Sequence, residues 1–409
     1  MLLDDMDDII IVGAGQAAAQ CAESLRRKGF SGAVTLIGRE PHLPYQRPPL
    51  SKKYLAGELG LDRLTLKHQK FFDEQNVQVR LGREVTAIDR SANLVQLDDG
   101  AQLPYQHLVL ATGASVRRVS LPGSDARGVF YLRDLADADQ LRTAIAAGRR
   151  AVIVGGGYIG LEVAATLRQQ GMAVTVLEMA DRVMNRTVAE PVSRYYEAEH
   201  KSHGVDIRLG AKLEGFECDA QAHVTAAITG DGPIAADLVV IGVGVLPNDE
   251  LARAAGLACD NGIVTDEYCR TSDPHIFAIG DCSNHPSLHY GVRVRLESVD
   301  NAFEQASTVA ANLTGSVQAH NKVPWFWSDQ YHHKLLIVGL STDHDQIILR
   351  GDPAAHSFSC CYLKQGELIA IDTVNMAKDQ MAARKLIAAR MRPDPLKLAD
   401  IGIALKDCV

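Results

Sequence analysis

Tryptophan and paired cysteines are the scarcest features of this sequence. Its 409 residues contain two tryptophans, Trp325 and Trp327, in the stretch "VPWFWSDQYHHK". Eight cysteines are scattered along the chain, and no two of them form a CxxC pair. With no export signal in sight, we expect reduced thiols, most of them small buried side chains rather than disulfides.

Further absences limit where the protein acts. The N-terminal "MLLDDMDD" is acidic and lacks the basic and apolar regions of a signal peptide. No segment approaches the ~18 consecutive apolar residues of a membrane span. The net charge of −8 opposes general nucleic-acid binding, since affinity for the phosphate backbone comes from clustered Lys and Arg. We therefore expect a cytoplasmic protein with neither a nucleic-acid nor a membrane partner.

One pattern is present twice in a chain long enough for roughly two or three domains. An apolar run, a glycine turn and an amphipathic helix cover residues 7–29 and again residues 150–171. In the spacing GxGxxG/A, the first Gly allows a tight turn and the second lets a pyrophosphate approach the backbone, while the third position packs helix on strand. Two copies predict two bound dinucleotides. The turn positions are Gly13, Gly15 and Ala18, then Gly155, Gly157 and Gly160.

The end of the second strand in each copy should carry an acid for the adenosine ribose. Glu178 fills this position in the second copy, and its charge would repel the 2′-phosphate of NADP. We therefore expect NADH as the donor. In the first copy Arg39 stands where the acid is expected and Glu40 follows it, so the ribose contact stays open between them.

Three further phrases complete a recognisable order: "LVLATGA" (108–114), "VIGVGVLPN" (240–248) and "TSDPHIFAIGDC" (271–282). With the doubled turn they resemble the two-dinucleotide flavoprotein reductases of the glutathione-reductase type. The resemblance implies an α/β fold with two Rossmann-like domains, one for FAD and one for NAD(P)H, and a smaller α+β C-terminal domain. The implied bounds are 1–114 with 246–320 for the FAD domain, 115–245 for the NAD domain and 321–409 for the C-terminal domain.

The segment "REPHLPYQRPPLSKKYL" (39–55) has no cysteine to relay electrons from the flavin. In this it resembles the NADH-dependent ferredoxin reductases of the putidaredoxin-reductase type, which serve cytochrome P450 and ring-hydroxylating dioxygenases. "GGGYIGLEVAA", "YLRDLADA", "RLESVDNAFEQA" and "PWFWSDQY" resemble the same family. The implied activity is electron transfer from NADH through FAD to a [2Fe–2S] ferredoxin.

The resemblance also implies roles for individual residues. Lys52 would lie beside flavin N5 and pair with Glu162, which would hold the nicotinamide carboxamide, while Tyr158 would line the nicotinamide entrance. Trp327 would lie between the flavin and the docked ferredoxin, with Trp325 as a core anchor. Besides the residues already named, the implied cofactor-binding set is Ala17, Arg47, Val85, Ala111, Thr112, Gly113, Arg133, Ile159, Gly242, Gly244, Gly280, Asp281 and Val299.

An acidic ferredoxin needs local positive charge on its reductase. Arg293 and Arg295 share a face at strand spacing, and Lys334 follows the tryptophans, although a merely solvated strand face explains the two arginines equally well. The doubled histidines at 332–333 and the pair at 200 and 203 have no third ligand at suitable spacing, so we expect solvated surface and no metal.

Other functions on the same scaffold are alternatives. They are an NADH oxidase or peroxide reductase, which the missing cysteine opposes, and a rubredoxin reductase. A signalling protein resembling apoptosis-inducing factor would usually carry targeting segments and basic surface, which this sequence does not show. The particular ferredoxin and oxygenase, and the oligomeric state, are not fixed by the sequence.

Overall fold

The computed structural model describes residues 8–409, so nearly all of the acidic N-terminal octapeptide lies outside the described residues. The chain divides into two compact units. The first comprises the described residues up to Gln46 with Leu61–Ser115 and Leu246–Pro324, and the second comprises Arg47–Gly60, Val116–Val245 and Trp325–Val409. The three predicted domain boundaries stay predictions.

The elements up to residue 116 begin with a strand, a glycine turn and a helix. The apolar run at 9–12 is buried along its whole length, as expected for a strand covered on both faces. In chain order the elements are β1 (Ile9–Val12), α1 (Gln16–Arg27), β2 (Val34–Gly38), α2 (Leu61–Leu64), α3 (Gln69–Glu74), β3 (Val77–Leu81), β4 (Val85–Asp89), β5 (Leu94–Leu97), β6 (Gln102–Pro104), β7 (His107–Leu110) and β8 (Ala114–Val116).

The next stretch repeats the strand, turn and helix. In chain order it contains β9 (Val129–Phe130), α4 (Leu135–Ala147), β10 (Arg150–Val154), α5 (Tyr158–Gln169), β11 (Ala173–Glu178), α6 (Glu190–Ser202), β12 (Asp206–Leu209), β13 (Leu213–Cys218), β14 (Val224–Thr229), β15 (Gly232–Ala235) and β16 (Leu238–Ile241).

The remaining elements lead into a sheet of longer strands. They are β17 (Val245–Pro247), α7 (Glu250–Ala254), β18 (Ile263–Val264), β19 (Ile276–Ala278), β20 (Ser283–Ser287), β21 (Val292–Val294), α8 (Val299–Leu313), β22 (Trp325–Gln330), β23 (His333–Gly339), β24 (Gln346–Asp352), β25 (Ser357–Lys364), β26 (Glu367–Val374), α9 (Ala377–Ala388) and α10 (Pro395–Ala399).

Two five-stranded parallel sheets carry the two glycine turns. In the first unit the order is β19-β7-β1-β2-β3, and in the second unit it is β12-β11-β10-β16-β9. In each sheet the strand before the turn lies in the centre, so the turn opens at the carboxyl edge, where α/β folds bind ligands. A separate antiparallel sheet of the second unit has the order β22-β23-β26-β25-β24. The predicted fold class is confirmed.

Burial and thiol state agree with a reduced globular protein. Six cysteines are buried, and all eight are free thiols. Cys21, on the buried side of α1, has a pKa raised to about 12 by burial, which keeps it a neutral packing side chain. Among residues 8–409, no helix has the length and apolar character that crossing a bilayer requires.

Candidate functional site: two dinucleotide turns and a buried ion pair

The first glycine turn joins β1 to α1. Gly13 has φ of +122°, and a Cβ at that position would lie 2.1 Å from the carbonyl oxygen of Ala111, so only glycine fits. Gly15 caps α1, and a Cβ there would meet nothing within 4 Å. This leaves open space at the helix N-terminus, where free N–H groups favour phosphate. The turn therefore fits a dinucleotide pyrophosphate.

Two chain segments predicted to border this turn are tied together by hydrogen bonds. Thr112 Oγ1 donates to the carbonyl oxygen of Asn248 at 2.6 Å, and Asn248 Nδ2 donates to the carbonyl oxygen of Thr112 at 2.8 Å. The Asn248 N–H also donates to the carbonyl oxygen of Gly113, at 2.9 Å. Asn248 ends the phrase "VIGVGVLPN", and nothing in the local sequence predicts these bonds. In the structure it fixes the segment that follows β7.

A third segment, which contains Gly280, packs against α1. Gly280 has φ of +76°, and a Cβ there would lie 3.2 Å from Cβ of Ala17 on α1. Asp281 follows in a short 3-10 helix, and Val299 is the first residue of α8. Glycine at 280 therefore lets the segment bearing Asp281 approach α1.

The ribose end of the first turn is less defined. Arg39 follows β2 on the surface, where its Nη1 lies 4.0 Å from Glu84 Oε1. The Tyr45 hydroxyl donates to Glu40 Oε2 at 2.5 Å. Val85 is buried at the start of β4. The choice between Arg39 and Glu40 as the ribose contact stays open.

The second glycine turn joins β10 to α5 with tighter packing. Gly155 has φ of +107°, and its Cβ would lie 2.5 Å from the carbonyl oxygen of Gly242. A Cβ at Gly160 would lie 2.1 Å from the carbonyl oxygen of Gly155. Gly157 caps α5 with open space beside it, and Gly244 has φ of +103°. This turn also fits a pyrophosphate.

Glu178 ends β11 beside this second turn. Its Oε2 accepts from the N–H of Gly156 at 2.7 Å, and its Oε1 accepts from the N–H of Ala180 at 2.8 Å. The two amides fix the carboxylate at the carboxyl edge of the sheet. A fixed negative charge in that position suits a ribose with free hydroxyls and opposes a 2′-phosphate.

An ion pair joins Lys52 to the buried Glu162 of α5. Lys52 Nζ is 2.6 Å from Glu162 Oε2, and Glu162 is only 5 % exposed. The Ser51 hydroxyl donates to the same oxygen at 2.5 Å, and the Ser328 hydroxyl donates to Oε1 at 2.7 Å. Two hydroxyl donors and one cation thus hold a carboxylate that burial alone would disfavour. The second unit therefore presents a fixed charged pair beside a dinucleotide turn.

Sequence reasoning missed the two serines. Ser51 precedes Lys52 directly, and Ser328 follows Trp327 directly, so each stood next to a residue that was singled out. Their positions 111 and 166 residues from Glu162 along the chain gave no local signal. Ser328 and Trp327 are neighbours in β22 and point to opposite faces. One strand therefore contributes both to the ion pair and to the tryptophan pair.

The remaining predicted residues of the second unit have the following places. Arg47 Nη1 donates to the carbonyl oxygen of Arg133 at 2.8 Å, which joins the proline-rich loop to the segment before α4. The Tyr158 ring packs 4.9 Å from that of Phe326, measured between centroids, and burial raises the pKa of its hydroxyl above the usual range. Ile159 is exposed in the first turn of α5.

The two tryptophans form one aromatic patch, but Trp325 is not a core residue. Their ring centroids are 5.5 Å apart with planes at 30°, and both side chains are half-buried. The Arg384 guanidinium lies over the Trp325 ring at 5.5 Å. The expectation of a core anchor was wrong, because the Trp325 ring is only half-buried and shares its face of β22 with the half-buried Trp327.

The three cations proposed for ferredoxin docking differ in exposure. Lys334 is exposed. Arg293 Nη2 donates to the carbonyl oxygen of Thr265 at 2.9 Å. The Arg295 side chain is only 10 % exposed and pairs with Glu297 at 2.8 Å. Lys334 and Arg293 are therefore exposed, whereas Arg295 is largely covered.

The expectation that the paired histidines are solvated was wrong for two of them. His200 and His333 are almost completely buried, at 0 % and 1 % exposure. His200 Nε2 lies 2.9 Å from Gln330 Oε1, and burial lowers its pKa to about 4. The local sequence does not reveal this burial. Alternation along β23 turns His333 inward, and the helical period of α6 turns His200 inward.

Comparisons with known proteins agree with this geometry. The family described as pyridine nucleotide-disulphide oxidoreductase matches residues 7–306, and the one described as reductase C-terminal matches residues 325–409. The chain is 45 % identical to putidaredoxin reductase of Pseudomonas putida over 408 residues, which is 98 % of this chain and 97 % of that one.

Two further similarities extend this picture. The ferredoxin–NAD(+) reductase component of the anthranilate 1,2-dioxygenase system of Burkholderia cepacia is 43 % identical, with 98 % of each chain covered. The crystal structure of the covalent putidaredoxin reductase–putidaredoxin complex matches with a TM-score of 0.95 and 45 % identity, covering 98 % of this chain and 97 % of that one. The predicted enzyme class and the cofactors FAD and NADH are confirmed. The chain belongs to the pyridine nucleotide-disulphide oxidoreductase family, among the ferredoxin reductases that carry the reductase C-terminal domain.

Proposed function

We propose that this chain passes electrons from NADH through FAD to a [2Fe–2S] ferredoxin that supplies an oxygenase. The observation that carries the proposal is the ion pair of Lys52 with the buried Glu162, which lies on the helix of a dinucleotide turn. Ser51 and Ser328 fix the Glu162 carboxylate by hydrogen bonds. No thiol is part of that group. A cysteine relay, which disulfide reductases need, is therefore missing from it.

In the proposed assignment the first turn holds FAD. Gly13, Gly15 and the N-terminus of α1 would take its pyrophosphate, and Asp281 and Val299 would contact it nearer the flavin. When bound, FAD accepts two electrons as a hydride and releases them singly, which matches the one-electron acceptor. The chain itself needs no nucleophile for this chemistry.

The charged pair would serve the nicotinamide half. Glu162 is acceptor-only while ionised, so it can receive the N–H groups of a carboxamide. Lys52 would supply positive charge toward the position where negative charge develops on reduction, an electrostatic stabilisation that costs no reorganisation when it is prebuilt. Ser51 and Ser328 would keep Glu162 oriented between turnovers.

Selection of NADH would rest on Glu178. Its carboxylate is already fixed by two backbone N–H groups, so it cannot turn away from a 2′-phosphate without losing both bonds. NADPH would therefore meet either charge repulsion from Glu178 or the loss of its two hydrogen bonds, so Glu178 would discriminate between the two donors.

The ferredoxin would dock over Trp327. Half-exposed aromatic side chains with a nearby cation are typical of the centre of an interface, and Lys334 and Arg384 supply that charge. An acidic partner would be steered by them, so the association rate should fall with added salt. The cytoplasmic location stays a prediction.

The test is anaerobic reduction of cytochrome c by NADH through a bacterial [2Fe–2S] ferredoxin. Wild-type protein should show strong ferredoxin-dependent reduction. Trp327→Ala should slow it about tenfold or more, as expected for a central interface residue. Trp325→Ala, which alters the same patch two residues away, is the matched control and should have the smaller effect.

The alternatives predict other results in the same assay. An NADH oxidase or peroxide reductase would consume oxygen or peroxide rapidly and leave the ferredoxin oxidised. A rubredoxin reductase would prefer rubredoxin over every ferredoxin offered. Equal effects of the two tryptophan substitutions would contradict the special position given to Trp327.

A further inference from the structure

A cluster of metal-ligating side chains lies in the second unit, apart from the residues assigned to NADH. Glu199 lies on α6, His333 begins β23, and His356 occupies the turn between β24 and β25. One ligand atom from each of the three lies within 4.8 Å of the others. Three separate elements thus bring two imidazoles and a carboxylate together.

The geometry inside the cluster leaves one buried nitrogen without a hydrogen bond. His333 Nε2 is 2.9 Å from Glu199 Oε1, yet among the described residues it has no hydrogen-bond partner. A contact that is short enough in distance fails as a hydrogen bond when the oxygen lies off the direction of the N–H. The His333 side chain is 0 % exposed, so water cannot easily satisfy it.

Tyr195 and Asn375 orient the two histidines. The Tyr195 hydroxyl lies 2.9 Å from Nδ1 of His333 and 2.9 Å from Nδ1 of His356. The Asn375 side chain donates to the carbonyl oxygen of His356 at 2.9 Å, which fixes the left-handed turn at φ of 54°. Outer partners of this kind are what hold metal-binding histidines in one ring orientation.

The His333 side chain is shielded from solvent. Glu199 is also buried, while His356 is half-exposed and gives an ion a way in from solvent.

We propose that Glu199, His333 and His356 form a zinc site with an open fourth position. Two imidazoles and a carboxylate are a known ligand set for Zn²⁺, whereas Mg²⁺ and Ca²⁺ prefer oxygen ligands alone. Bond lengths of about 2.0–2.2 Å place tetrahedral ligand atoms roughly 3.3 Å apart. Glu199 Oε1 lies 2.9 Å from His333 Nε2, and one ligand atom from each of the three residues lies within 4.8 Å of the others, so modest side-chain shifts would reach that spacing.

The site would act as a clamp within the second unit. Zinc would tie α6 to the start of β23 and to the β24–β25 turn, three elements otherwise joined there by Tyr195 and Asn375. Because only the folded chain brings these ligands together, bound zinc stabilises it by mass action. The result would be a zinc-dependent rise in the melting temperature.

The test is equilibrium dialysis of tag-free holoprotein against micromolar free zinc, with metal and flavin contents measured together. We expect one zinc per chain. Glu199→Gln and His356→Ala should each weaken binding at least about tenfold and abolish the zinc-dependent rise in melting temperature. His356 is partly exposed, so His356→Ala should keep its flavin and remain folded.

His223→Ala is the matched control. His223 Nδ1 lies 3.8 Å from Asp219 Oδ1, an exposed histidine–carboxylate pair outside the cluster, so binding should not change. Failure of wild-type protein to bind zinc stoichiometrically would overturn the proposal. Zinc retained equally by the Glu199 and His356 variants would overturn it as well, since an exposed thiol such as that of Cys218 would then hold the ion.

Discussion

The two glycine turns have the same plan and differ in how closely the helix packs on the strand before it. Both have a first glycine at positive φ pressed against a carbonyl oxygen, and both have open space at the helix N-terminus. In the second turn the third position must be Gly160, whereas the first turn accommodates Ala18. The shared features fit a pyrophosphate, and the third position sets how closely each helix packs on its strand.

The difference continues along the two helices. Glu162 stands where the first copy has Gln20, five residues after the second glycine-turn position. Gln20 is a neutral buried side chain whose Nε2 donates to Ser24 Oγ at 3.0 Å within its own helix. Glu162 is a charge held by side chains from distant segments. At this position one helix has a neutral packing side chain and the other has a charge.

The largest expected effect comes from the third turn position. In Gly160→Ala the new Cβ would lie 2.1 Å from the carbonyl oxygen of Gly155, so the start of α5 must shift. Because a misplacement of ~1 Å can cost about 10²-fold, we expect NADH to reduce the flavin about 10²-fold more slowly. Rapid mixing without oxygen measures this rate.

Ala18→Gly makes the opposite change at the same position of the first turn. It should cost about 1 kcal/mol of stability through backbone entropy and leave the reduction rate unchanged. If Gly160→Ala reduced its flavin at the wild-type rate, the packing contrast between the turns would have no functional meaning.

A titrating group on β26 gives the next largest effect. Asp372 is buried, accepts from the Tyr362 hydroxyl and has a pKa raised to about 7 by burial. The pKa of Asp in an unfolded chain is about 3.9, so between that pH and about 7 only the folded state holds the proton. The free energy of unfolding therefore falls as pH rises from about 4 to about 7. Asp372→Asn should remove this fall, a difference of roughly 2–4 kcal/mol above pH 7.

The urea midpoint measured across that pH window checks the Asp372 prediction. Asp343→Asn, at an exposed carboxyl, is the control and should keep the wild-type pH profile. A wild-type profile in Asp372→Asn would show that another group controls the pH dependence.

The ribose ends of the two turns give a smaller, selective effect. Glu178→Gln removes the charge that opposes a 2′-phosphate, so the ratio of kcat/KM for NADPH to that for NADH should rise about tenfold, or about 1.4 kcal/mol. Glu40→Gln is the matched change in the first copy and should leave the ratio unaltered. Equal shifts in both variants would mean that Glu178 does not discriminate between donors.

Features within a short stretch of chain could be predicted from the sequence, and long-range ones could not. Both glycine turns and Glu178 follow from spacing, because strand, turn and helix are contiguous. Ser328 reaches Glu162 from 166 residues away, and neither residue type is distinctive alone. The burial of His333 depends on α6 and on the β24–β25 turn, which no local pattern reveals.

The most direct test of the account is the rate at which NADH reduces the flavin in Glu162→Gln. This rate is measured by rapid mixing without oxygen. The substitution keeps shape but removes the charge that Lys52, Ser51 and Ser328 hold, and we expect the rate to fall by about 10²-fold. Ser328→Ala, which removes one of the three donors, should fall between wild type and Glu162→Gln. A wild-type rate in Glu162→Gln would contradict the claim that the buried pair serves NADH.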